Sequence, residues 1–540
     1  MTTAHLDRFV LSNLPAPSAW PEFVLDLPQL QYPLQLNCAQ ELLRQVVNYP
    51  DKVALIGADM TLTYAQLQAQ VNQLSQVLVE RMQLIPGNRV LLRAANHPML
   101  VVCILAVWQI GCVAVPSMPM LRAHELGVMI EQAQISAALC SRDLQPELLL
   151  AQQQHPVLQQ ILYYGGDDGL DELSIAMAQK SIAFTPVATQ RDDPCLIGFS
   201  SGTTGKPKAT VHFHRDVLAI CDCFPVSTLR SQADDIFIGT PPLAFTFGLG
   251  GLALFPLRVG ATAVLLEKYT PHTLLLAIAR YQASICFTVP TFYRQMSAAL
   301  IAQSDAEYDT SSLRKTVSAG EALSVTTRND WLQASGLRMI DGIGSTEMLH
   351  IFISAADDEI RAGATGKPIP GYQACILDEH GQPVGTGVVG RLAVKGATGC
   401  RYLADARQAD YVADGWNITG DAYQMDADGY FWYCARMDDM IISAGYNIGA
   451  PEVEEVLMRH PAVAECAVVG CADSERGQIV KAYIVLGAEF VGDAAMVAAL
   501  QEFVKAAIAP YKYPRAIEFK SSLPRTDSGK LQRFKLRDSI

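Results

Sequence analysis

Residues 199–208 read Phe-Ser-Ser-Gly-Thr-Thr-Gly-Lys-Pro-Lys and follow the short apolar run Cys195–Phe199, which predicts the end of a buried strand. Gly202 and Gly205 allow positive φ, so that successive N–H groups can point into one concavity. The serines and threonines add hydroxyl donors, the lysines add positive charge, and the stretch contains no acidic residue. Together these properties predict a binding site for a polyanion, most simply the phosphates of a nucleotide.

The spacing of the glycines excludes a phosphate loop of the NTPase type. That loop has four residues between its glycines and then Gly-Lys-Ser or Gly-Lys-Thr. Here two residues separate Gly202 from Gly205, and Pro207 follows Lys206. Considered alone, the stretch could also be an ordinary glycine-rich turn with solvated lysines.

The composition is that of a large globular protein. Its 540 residues exceed a single ordinary core, so we expect at least two domains. Half of the residues are hydrophobic and 18% are charged, which argues against disorder. A net charge of −13 repels nucleic acid and anionic membranes. We therefore expect neither as a partner, and we expect basic character to be local.

Targeting and cysteine patterns favour a cytoplasmic protein. Met1–Trp20 has no basic segment followed by an apolar core, so we predict no signal peptide. The longest apolar run, residues 100–115, is interrupted by Gln109 and Gly111 and is too short to cross a bilayer. It predicts a buried helix followed by a buried strand. The 13 cysteines form no Cys-x-x-Cys pair and predict reduced, buried thiols.

The order of apolar segments predicts an α/β fold with more than one domain. Short apolar strands alternate with helical patterns of about 12 residues up to about residue 290, which predicts mainly parallel sheet with helices on both faces. Strand-like pieces between glycine-rich turns predict a β-rich subdomain at about residues 374–436. A compact α+β pattern follows Arg436, so the domain boundary is predicted there.

A second candidate site is residues 341–347, Asp-Gly-Ile-Gly-Ser-Thr-Glu. Small residues let the backbone approach a ligand, and a carboxylate such as Glu347 beside a triphosphate suits Mg²⁺, which bridges phosphate oxygens. The alternative is the start of a helix, with Ser345 as its N-cap and Glu347 in its first turn.

Two later stretches carry single polar residues of interest. Residues 416–421, Trp-Asn-Ile-Thr-Gly-Asp, end in Asp421, whose carboxylate suits two ribose hydroxyls, although a β-turn aspartate would give the same pattern. Residues 524–530, Pro-Arg-Thr-Asp-Ser-Gly-Lys, place Lys530 in a basic tail, where a lone lysine is usually a solvated charge.

The order and spacing of these stretches resemble the adenylate-forming superfamily of acyl- and aryl-CoA synthetases, luciferase-type enzymes and peptide-synthetase adenylation domains. The resemblance runs from Leu62-Thr63-Tyr64 to Gly529-Lys530. It implies an α/β fold whose large N-terminal domain, residues 1–436, has two mainly parallel, helix-flanked sheets plus the β-rich subdomain. It also implies a small, mobile α+β C-terminal domain, residues 437–540, that acts as a lid.

The resemblance also implies a set of site residues. The implied ATP-binding residues are Ser200, Ser201, Gly202, Thr203, Thr204, Gly205, Lys206, Lys208, Gly320, Glu321, Asp341, Gly342, Thr346, Asp421, Arg436 and Lys530. Thr346, Glu347 and Lys530 are implied to be catalytic, with Glu347 as the Mg²⁺ ligand. Asp438 resembles the hinge and Gly445 the lining of the coenzyme A tunnel. The family usually has glycine after the last lysine of the phosphate loop, where this chain has Ala209.

The implied chemistry has two half-reactions. A carboxylate attacks the α-phosphate of ATP and gives acyl-AMP and pyrophosphate, while Lys530 and Mg²⁺ neutralise the repulsion between the two anions. A thiol then displaces AMP. Rotation of the small domain about Asp438 would move Lys530 away and open a path for the thiol.

The acid-binding pocket is predicted from residues on the large domain. The candidates are Phe245, Phe247, Gly248, Ala319, Gly344 and His350. Phe245 and Phe247 between glycines suggest a short, flat, aromatic-walled slot. Residues 211–219 and 344–352 resemble the benzoate-CoA ligase branch, and the first resembles its 2-aminobenzoate (anthranilate) members.

Two histidine hypotheses remain open at this point. His350 could be an ordinary core histidine, or it could hydrogen-bond an ortho substituent or the carboxylate of the acid. His212 and His214 could suggest a metal, but no third ligand is evident, and a strand-to-helix junction is preferred.

The sequence therefore predicts an ATP- and Mg²⁺-dependent ligase that joins a small aromatic acid, benzoate or 2-aminobenzoate, to coenzyme A. One alternative is a stand-alone adenylating enzyme that loads a carrier protein. Another is a non-catalytic nucleotide-binding regulator, against which Lys530, Glu347 and Asp421 argue. A homodimer is possible.

Overall fold

The computed structural model describes residues 2–166, 171–200, 207–302, 308–443, 446–473, 476–525 and 531–537. Within these ranges the chain forms four sheets, of which the two largest are mainly parallel. The helices are Phe9–Ser12, Cys38–Leu43, Tyr64–Gln76, Pro98–Gln109, Ala123–Ala133, Gln145–Gln154, Glu172–Ala178, His214–Phe224, Thr246–Leu249, Phe255–Val259, Pro271–Tyr281, Pro290–Ala302, Val325–Ser335, Gln408–Tyr411, Ala450–Leu457, Ala494–Ala507 and Arg533–Arg537.

The largest sheet has nine strands. In spatial order they are Lys367–Pro368, Ile351–Ser354, Met339–Gly344, Lys315–Ala319, Ile285–Thr288, Ile236–Gly239, Thr262–Leu265, Val53–Ile56 and Thr61–Thr63. The six strands from Met339–Gly344 to Val53–Ile56 pair in parallel, and the strands beyond them at both edges pair antiparallel. Thr63 caps the helix Tyr64–Gln76 by accepting from the Gln66 amide, as its sequence position predicts.

The second sheet has six strands. In spatial order they are Gln160–Tyr164, Ala137–Ser141, Arg89–Arg93, Val113–Ser117, Pro194–Ser200 and Lys208–Phe213. All neighbours pair in parallel except the last two strands, which form an antiparallel hairpin. This hairpin, Pro194–Ser200 with Lys208–Phe213, is called the phosphate hairpin below.

The main hydrophobic core lies between these two sheets. Successive side chains of a strand point to opposite faces. Leu92 and Phe237, one from each sheet, belong to the same buried cluster, whereas Leu91 and Ile238 belong to two separate outer clusters. Helix Pro98–Gln109 is buried along its whole length in the shared core. This position explains the long apolar run in the sequence and confirms the prediction of a buried helix followed by a strand.

The third and fourth sheets follow in sequence. The third is antiparallel and contains Tyr372–Leu377, Gly390–Gly396, Val412–Ala413, Trp416–Met425 and Phe431–Arg436, in agreement with the β-rich region. The fourth contains Met440–Ser443, Tyr446–Gly449, Val463–Asp473, Gly477–Leu486 and Ala516–Phe519 and has its own core with helices Ala450–Leu457 and Ala494–Ala507. The α/β architecture with a small α+β C-terminal part is thus confirmed.

Two further sequence expectations concern membranes and thiols. No helix within the described ranges is long and apolar enough to cross a membrane. The 13 cysteines are free thiols; nine are buried, and Cys375, Cys434, Cys466 and Cys471 are half-buried.

Candidate functional site

The phosphate hairpin brings the two ends of the opening motif together. Ser200 lies opposite Lys208 at the end of the hairpin where the connecting residues join the two strands. The connecting residues Ser201, Gly202, Thr203, Thr204, Gly205 and Lys206 lie outside the described residues. A Cβ atom at Gly198 would lie 2.9 Å from Cγ2 of Thr346, so only glycine lets the hairpin come this close to Thr346.

Residues 345–350 form a turn between strands Met339–Gly344 and Ile351–Ser354. The Leu349 amide donates to the Thr346 carbonyl at 3.2 Å, and the Met348 amide donates to Ser345 Oγ at 3.2 Å. Ser345 therefore caps a turn, and the alternative that a helix begins here is wrong. Buried Leu349 has a φ of 66°, in the left-handed region that side chains other than glycine rarely adopt. The left-handed Leu349 reverses the chain direction, so that one short turn carries both Glu347 and His350.

Glu347 and Lys208 meet through a tyrosine. The Tyr402 hydroxyl donates to Glu347 Oε1 at 2.6 Å, and Lys208 Nζ donates to the Tyr402 oxygen at 3.3 Å. Glu347 is 8% exposed and Tyr402 is 1% exposed. Burial and the adjacent Glu347 carboxylate raise the pKa of Tyr402 far above its ordinary value, so the phenol stays protonated. The sequence analysis missed Tyr402, which follows Arg401 in a segment without a recognisable motif.

His212 and His214 contact different parts of the protein, the Thr346 turn and Cys38 respectively. His212 Nε2 donates to the Thr346 carbonyl at 2.8 Å. His214 Nδ1 lies 3.0 Å from Cys38 Sγ and accepts from the Cys38 amide at 3.2 Å. Candidate ligand atoms of Cys38, Cys195 and His214 lie within 4.8 Å of one another. The hydrogen bond from the Cys38 amide, however, already uses the lone pair of His214 Nδ1, the ring nitrogen that lies beside Cys38 Sγ. The expectation of a structural role for the two histidines agrees with these contacts.

The predicted ribose contacts are adjacent in the structure. Asp421 and Arg436 lie opposite each other on neighbouring antiparallel strands. Arg436 Nη1 lies 3.0 Å from Asp421 Oδ1 and 3.3 Å from the Thr419 carbonyl. Burial raises the pKa of Asp421, and the charge of Arg436 opposes that rise. The pair offers a carboxylate and a guanidinium side by side.

Four of the implied ATP-binding residues lie at or beside the carboxyl ends of two parallel strands: Gly320, Glu321, Asp341 and Gly342. Ala319 pairs with Gly342 at the ends of Lys315–Ala319 and Met339–Gly344, and Gly320 follows directly. Burial raises the pKa of Asp341 to about 7 in spite of the Arg328 charge. Glu321 accepts from the Thr291 amide and hydroxyl at 3.3 and 2.8 Å, at the start of helix Pro290–Ala302. Glu321 thus also fixes a helix end.

His350 lies in an aromatic cage. Its ring centroid is 4.5 to 6.5 Å from those of Phe224, Phe247, Phe255 and Phe287. His350 is 2% exposed, and neither ring nitrogen makes a hydrogen bond of good geometry among the described residues, although a weak contact with the Phe247 backbone raises its pKa slightly. Burial lowers the pKa of His350 to about 3, so the imidazole is neutral. A Cβ atom at Gly250 would lie 2.4 Å from Cδ2 of His350, which explains a glycine at this packed position.

The other predicted pocket residues surround the same turn. Phe247 and Gly248 belong to helix Thr246–Leu249, and half-buried Phe245 directly precedes it. Gly344 is exposed at the end of its strand, where a Cβ atom would lie 2.7 Å from the His350 carbonyl oxygen. Buried Ala319 ends the neighbouring strand.

The predicted hinge and tail residues are partly described. Asp438 lies in the 3₁₀ turn Met437–Asp439, and Gly445 and Lys530 lie outside the described residues. Asp439 Oδ1 lies 3.1 Å from Arg537 Nη2, and Asp439 Oδ2 lies 3.7 Å from Arg533 Nη1. The tail helix Arg533–Arg537 is therefore attached to the residue that follows the predicted hinge.

Comparison with known proteins gives a consistent assignment over nearly the whole chain. The model of the AMP-binding enzyme family matches residues 42–401, and that of the AMP-binding enzyme C-terminal domain matches residues 452–530. The chain is 35% identical over 519 residues to benzoate–CoA ligase of Thauera aromatica, covering 95% of this chain and 98% of that protein. It is 32% identical over 494 residues to 4-hydroxybenzoate–CoA/benzoate–CoA ligase of Rhodopseudomonas palustris, covering 90% of each.

Two solved structures have the same fold. The anthranilate CoA ligase AuaEII in complex with anthranoyl-AMP superimposes with a TM-score of 0.88 at 32% identity, covering 95% of this chain and 99% of that one. A benzoate CoA ligase from Burkholderia xenovorans superimposes with a TM-score of 0.84 at 31% identity, covering 93% of this chain and 100% of that one.

Proposed function

The chain belongs to the AMP-binding enzyme family, and we propose that it is an ATP-dependent aryl-CoA ligase acting on benzoate or 2-aminobenzoate. The observation that carries this proposal is the turn at residues 345–350. One end of the turn lies against the phosphate hairpin through Thr346, and the other end places His350 in a cage of phenylalanine rings. A nucleotide and an aromatic acid bound at these two ends would have their reacting groups next to each other.

In the first half-reaction, a carboxylate oxygen of the acid forms a bond to the α-phosphorus of ATP, and the bond to the leaving pyrophosphate breaks. Lys208 at the hairpin and Thr346 on the turn would hold the phosphates. Asp421 would accept from the ribose hydroxyls, with Arg436 beside it. Lys530 would neutralise charge between the carboxylate and the α-phosphate.

Glu347 is suited to a divalent cation. It is a buried carboxylate with one oxygen fixed by Tyr402, and it lies near the lysine of the phosphate hairpin. Mg²⁺ commonly takes one or two carboxylates and completes its shell with phosphate oxygens and water, so this donor set fits. When bound, Mg²⁺ would supply charge neutralisation for the phosphates.

In the second half-reaction, the thiol of coenzyme A bonds to the carbonyl carbon of aryl-AMP, and AMP leaves. We propose that residues 437–540 form a lid that turns about Asp438 between the two steps, with Gly445 lining the thiol path.

We also propose a cytoplasmic location, where ATP and coenzyme A are available. The homodimer stays a prediction, which sedimentation velocity can check.

The aromatic cage supports an aryl acid over a fatty acid. Flat rings that stack or pack edge to face on phenylalanine gain interaction energy beyond the burial of their area, and an acyl chain does not gain this additional energy. A buried imidazole without a hydrogen bond costs about 1–3 kcal/mol, which a substrate group could recover. Neutral His350 offers one acceptor and one donor nitrogen, so the amino group of 2-aminobenzoate is a suitable partner.

A pyrophosphate-release panel tests the proposal. The acids would be benzoate, 2-aminobenzoate, hydroxybenzoates and short fatty acids, each with ATP and Mg²⁺. We expect benzoate or 2-aminobenzoate to give the highest kcat/KM. Faster turnover of a short fatty acid would contradict the aryl assignment. A parallel assay with coenzyme A or an aryl carrier protein as acceptor distinguishes the ligase from a carrier-loading enzyme.

A further inference from the structure

The Tyr402 hydroxyl lies between the two charged groups of the nucleotide site. It donates to Glu347 Oε1 at 2.6 Å and accepts from Lys208 Nζ at 3.3 Å. Within the part of the chain that the structure describes, the hydrogen bonds that link Lys208 to Glu347 run through this hydroxyl. A protonated phenol can donate one hydrogen bond and accept another, which is the role it has here.

The backbone around Tyr402 is fixed to the phosphate hairpin. The Val211 amide donates to the Arg401 carbonyl at 2.8 Å, and the Leu403 amide donates to the Ala209 carbonyl at 2.9 Å. Residues 401–403 thus continue the sheet beyond the strand Lys208–Phe213. The Tyr402 amide also donates to Gln408 Oε1 at 2.8 Å. The phenol is therefore held in a fixed position relative to Lys208.

A buried ion pair strengthens this attachment. Arg401 Nη1 lies 2.8 Å from Asp216 Oδ2, and both side chains are fully buried. The guanidinium lies 3.9 Å from the Phe213 ring centroid and 4.6 Å from that of Phe23. Burial alone would raise the pKa of Asp216, but Arg401, His212 and Arg215 together keep it below its ordinary value, so the pair stays ionised. The segment that carries Tyr402 has little freedom to move away from the hairpin.

We propose that Tyr402 is a positioning residue that keeps Lys208 and Glu347 apart, so that the lysine stays available for phosphate and the carboxylate for a divalent cation. The proposal rests on the proposed function, since it assumes that ATP and a cation bind at these groups. Without the hydroxyl, the ammonium and the carboxylate would approach and pair across a buried, weakly screened space. Phosphate and cation would then have to break that pair before binding.

The test variant is Tyr402→Phe, which keeps the ring and removes the hydroxyl. The matched control is Tyr64→Phe, because the Tyr64 hydroxyl also donates a buried bond, at 2.7 Å to the Ala261 carbonyl, in another part of the protein. The affinity of the ATP-bound enzyme for Mn²⁺, measured by electron paramagnetic resonance, needs no turnover. We expect it to fall about 10- to 100-fold in Tyr402→Phe and less than about twofold in Tyr64→Phe.

The rates of the two half-reactions distinguish a positioning role of Tyr402 from a general loss of structure. We expect aryl-acid-dependent exchange of pyrophosphate into ATP to fall with the Mn²⁺ affinity in Tyr402→Phe. We expect the rate of thioester formation from synthetic aryl-AMP and coenzyme A to stay within about twofold, because that step uses neither pyrophosphate nor its cation. Equal losses in both half-reactions, or unchanged Mn²⁺ affinity, would overturn the proposal.

A double variant tests the separation of charges itself. In Tyr402→Phe with Lys208→Met, Glu347 has no ammonium to pair with, so Mn²⁺ affinity at saturating ATP should recover at least about threefold over Tyr402→Phe alone. No recovery would overturn the idea that the phenol keeps the charges apart. If the unmodified enzyme shows no aryl-acid-dependent exchange, the proposed function fails, and the Mn²⁺ measurements still decide the role of Tyr402.

Discussion

His212 Nε2 donates a hydrogen bond to the carbonyl oxygen of Thr346 at a distance of 2.8 Å. His212 lies on the second strand of the phosphate hairpin, and Thr346 lies on the turn that also carries Glu347 and His350. This bond joins the two sheets of the large α/β region at the proposed nucleotide site. The two elements that we propose to contact ATP therefore have a fixed separation before it binds.

Replacing His212 should impair adenylation. In His212→Ala the Thr346 carbonyl loses its partner and the turn can shift, so we expect the rate of pyrophosphate exchange to fall about 10-fold or more. We expect His212→Gln, whose amide can donate from a similar position, to recover part of the rate. Stopped-flow or isotope-exchange assays measure both. A glutamine variant no better than alanine would contradict the role of the hydrogen bond.

Replacing Lys530 should separate the two half-reactions. We expect Lys530→Ala to lower aryl-AMP formation about 100-fold or more, because its charge would act at the reacting centre. ATP binding, measured by calorimetry, should change little, and so should thioester formation from synthetic aryl-AMP. The control is Lys520→Ala, which removes a surface lysine paired with Glu518. Unchanged adenylation in Lys530→Ala would contradict both the mechanism and the choice of an enzyme over a regulator.

His350 should determine which ring substituents are accepted. His350→Phe keeps an aromatic ring in the cage and removes both nitrogens. We expect kcat/KM for 2-aminobenzoate, relative to benzoate, to fall about 10-fold, as for the loss of one buried hydrogen bond. We expect His350→Ala to change the ranking of substituted benzoates as well. An unaltered ranking in both variants would assign His350 to the core alone.

His350 should also make the fold sensitive to acid. Its pKa is about 3 in the folded protein, below the ordinary 6.5 of an unfolded histidine. The unfolded chain therefore binds an additional proton below pH 6.5, and the stability of the fold decreases from there down to about pH 3. We expect this contribution to change the free energy of unfolding by about 1.4 kcal/mol per pH unit.

The acid effect can be measured by comparing His350→Phe with the unmodified chain. Thermal denaturation from pH 6 to pH 4 should show a smaller loss of stability in the variant, because the unfolded variant no longer gains the proton at this position. Parallel pH curves for the two proteins would contradict the prediction.

Local sequence patterns were sufficient for much of the fold. The short apolar run Val90-Leu91-Leu92 predicts a strand, which the structure extends to Arg89–Arg93. The pattern of residues 450–460 predicts a helix, which in the structure ends at Leu457. The long apolar segment is explained by helix Pro98–Gln109, which lies between two sheets. These features depend on neighbours along the chain, and so they can be derived from the sequence.

The contacts that organise the site depend on distant residues. Tyr402 reaches Lys208 because residues 401–403 pair with a strand some 190 positions earlier. The role of His212 likewise depends on Thr346, 134 positions later. Local sequence around Ser345 also allows the start of a helix, which the hydrogen bond from the Met348 amide to Ser345 Oγ and the left-handed Leu349 exclude. Spacing in one sequence contains no information on such pairings.

The attachment of the tail to Asp439 has a mechanical consequence. Asp439 pairs with Arg533 and Arg537, and Arg533 also lies 2.7 Å from Glu454 on helix Ala450–Leu457. Arg525 and Leu531 pair with each other on either side of residues 526–530. If the backbone torsions at residue 438 change as proposed, Asp439, helix Ala450–Leu457 and the tail helix Arg533–Arg537 would therefore move together. In the proposed rotation, the torsion angles at this one residue would set how far the tail that contains Lys530 moves.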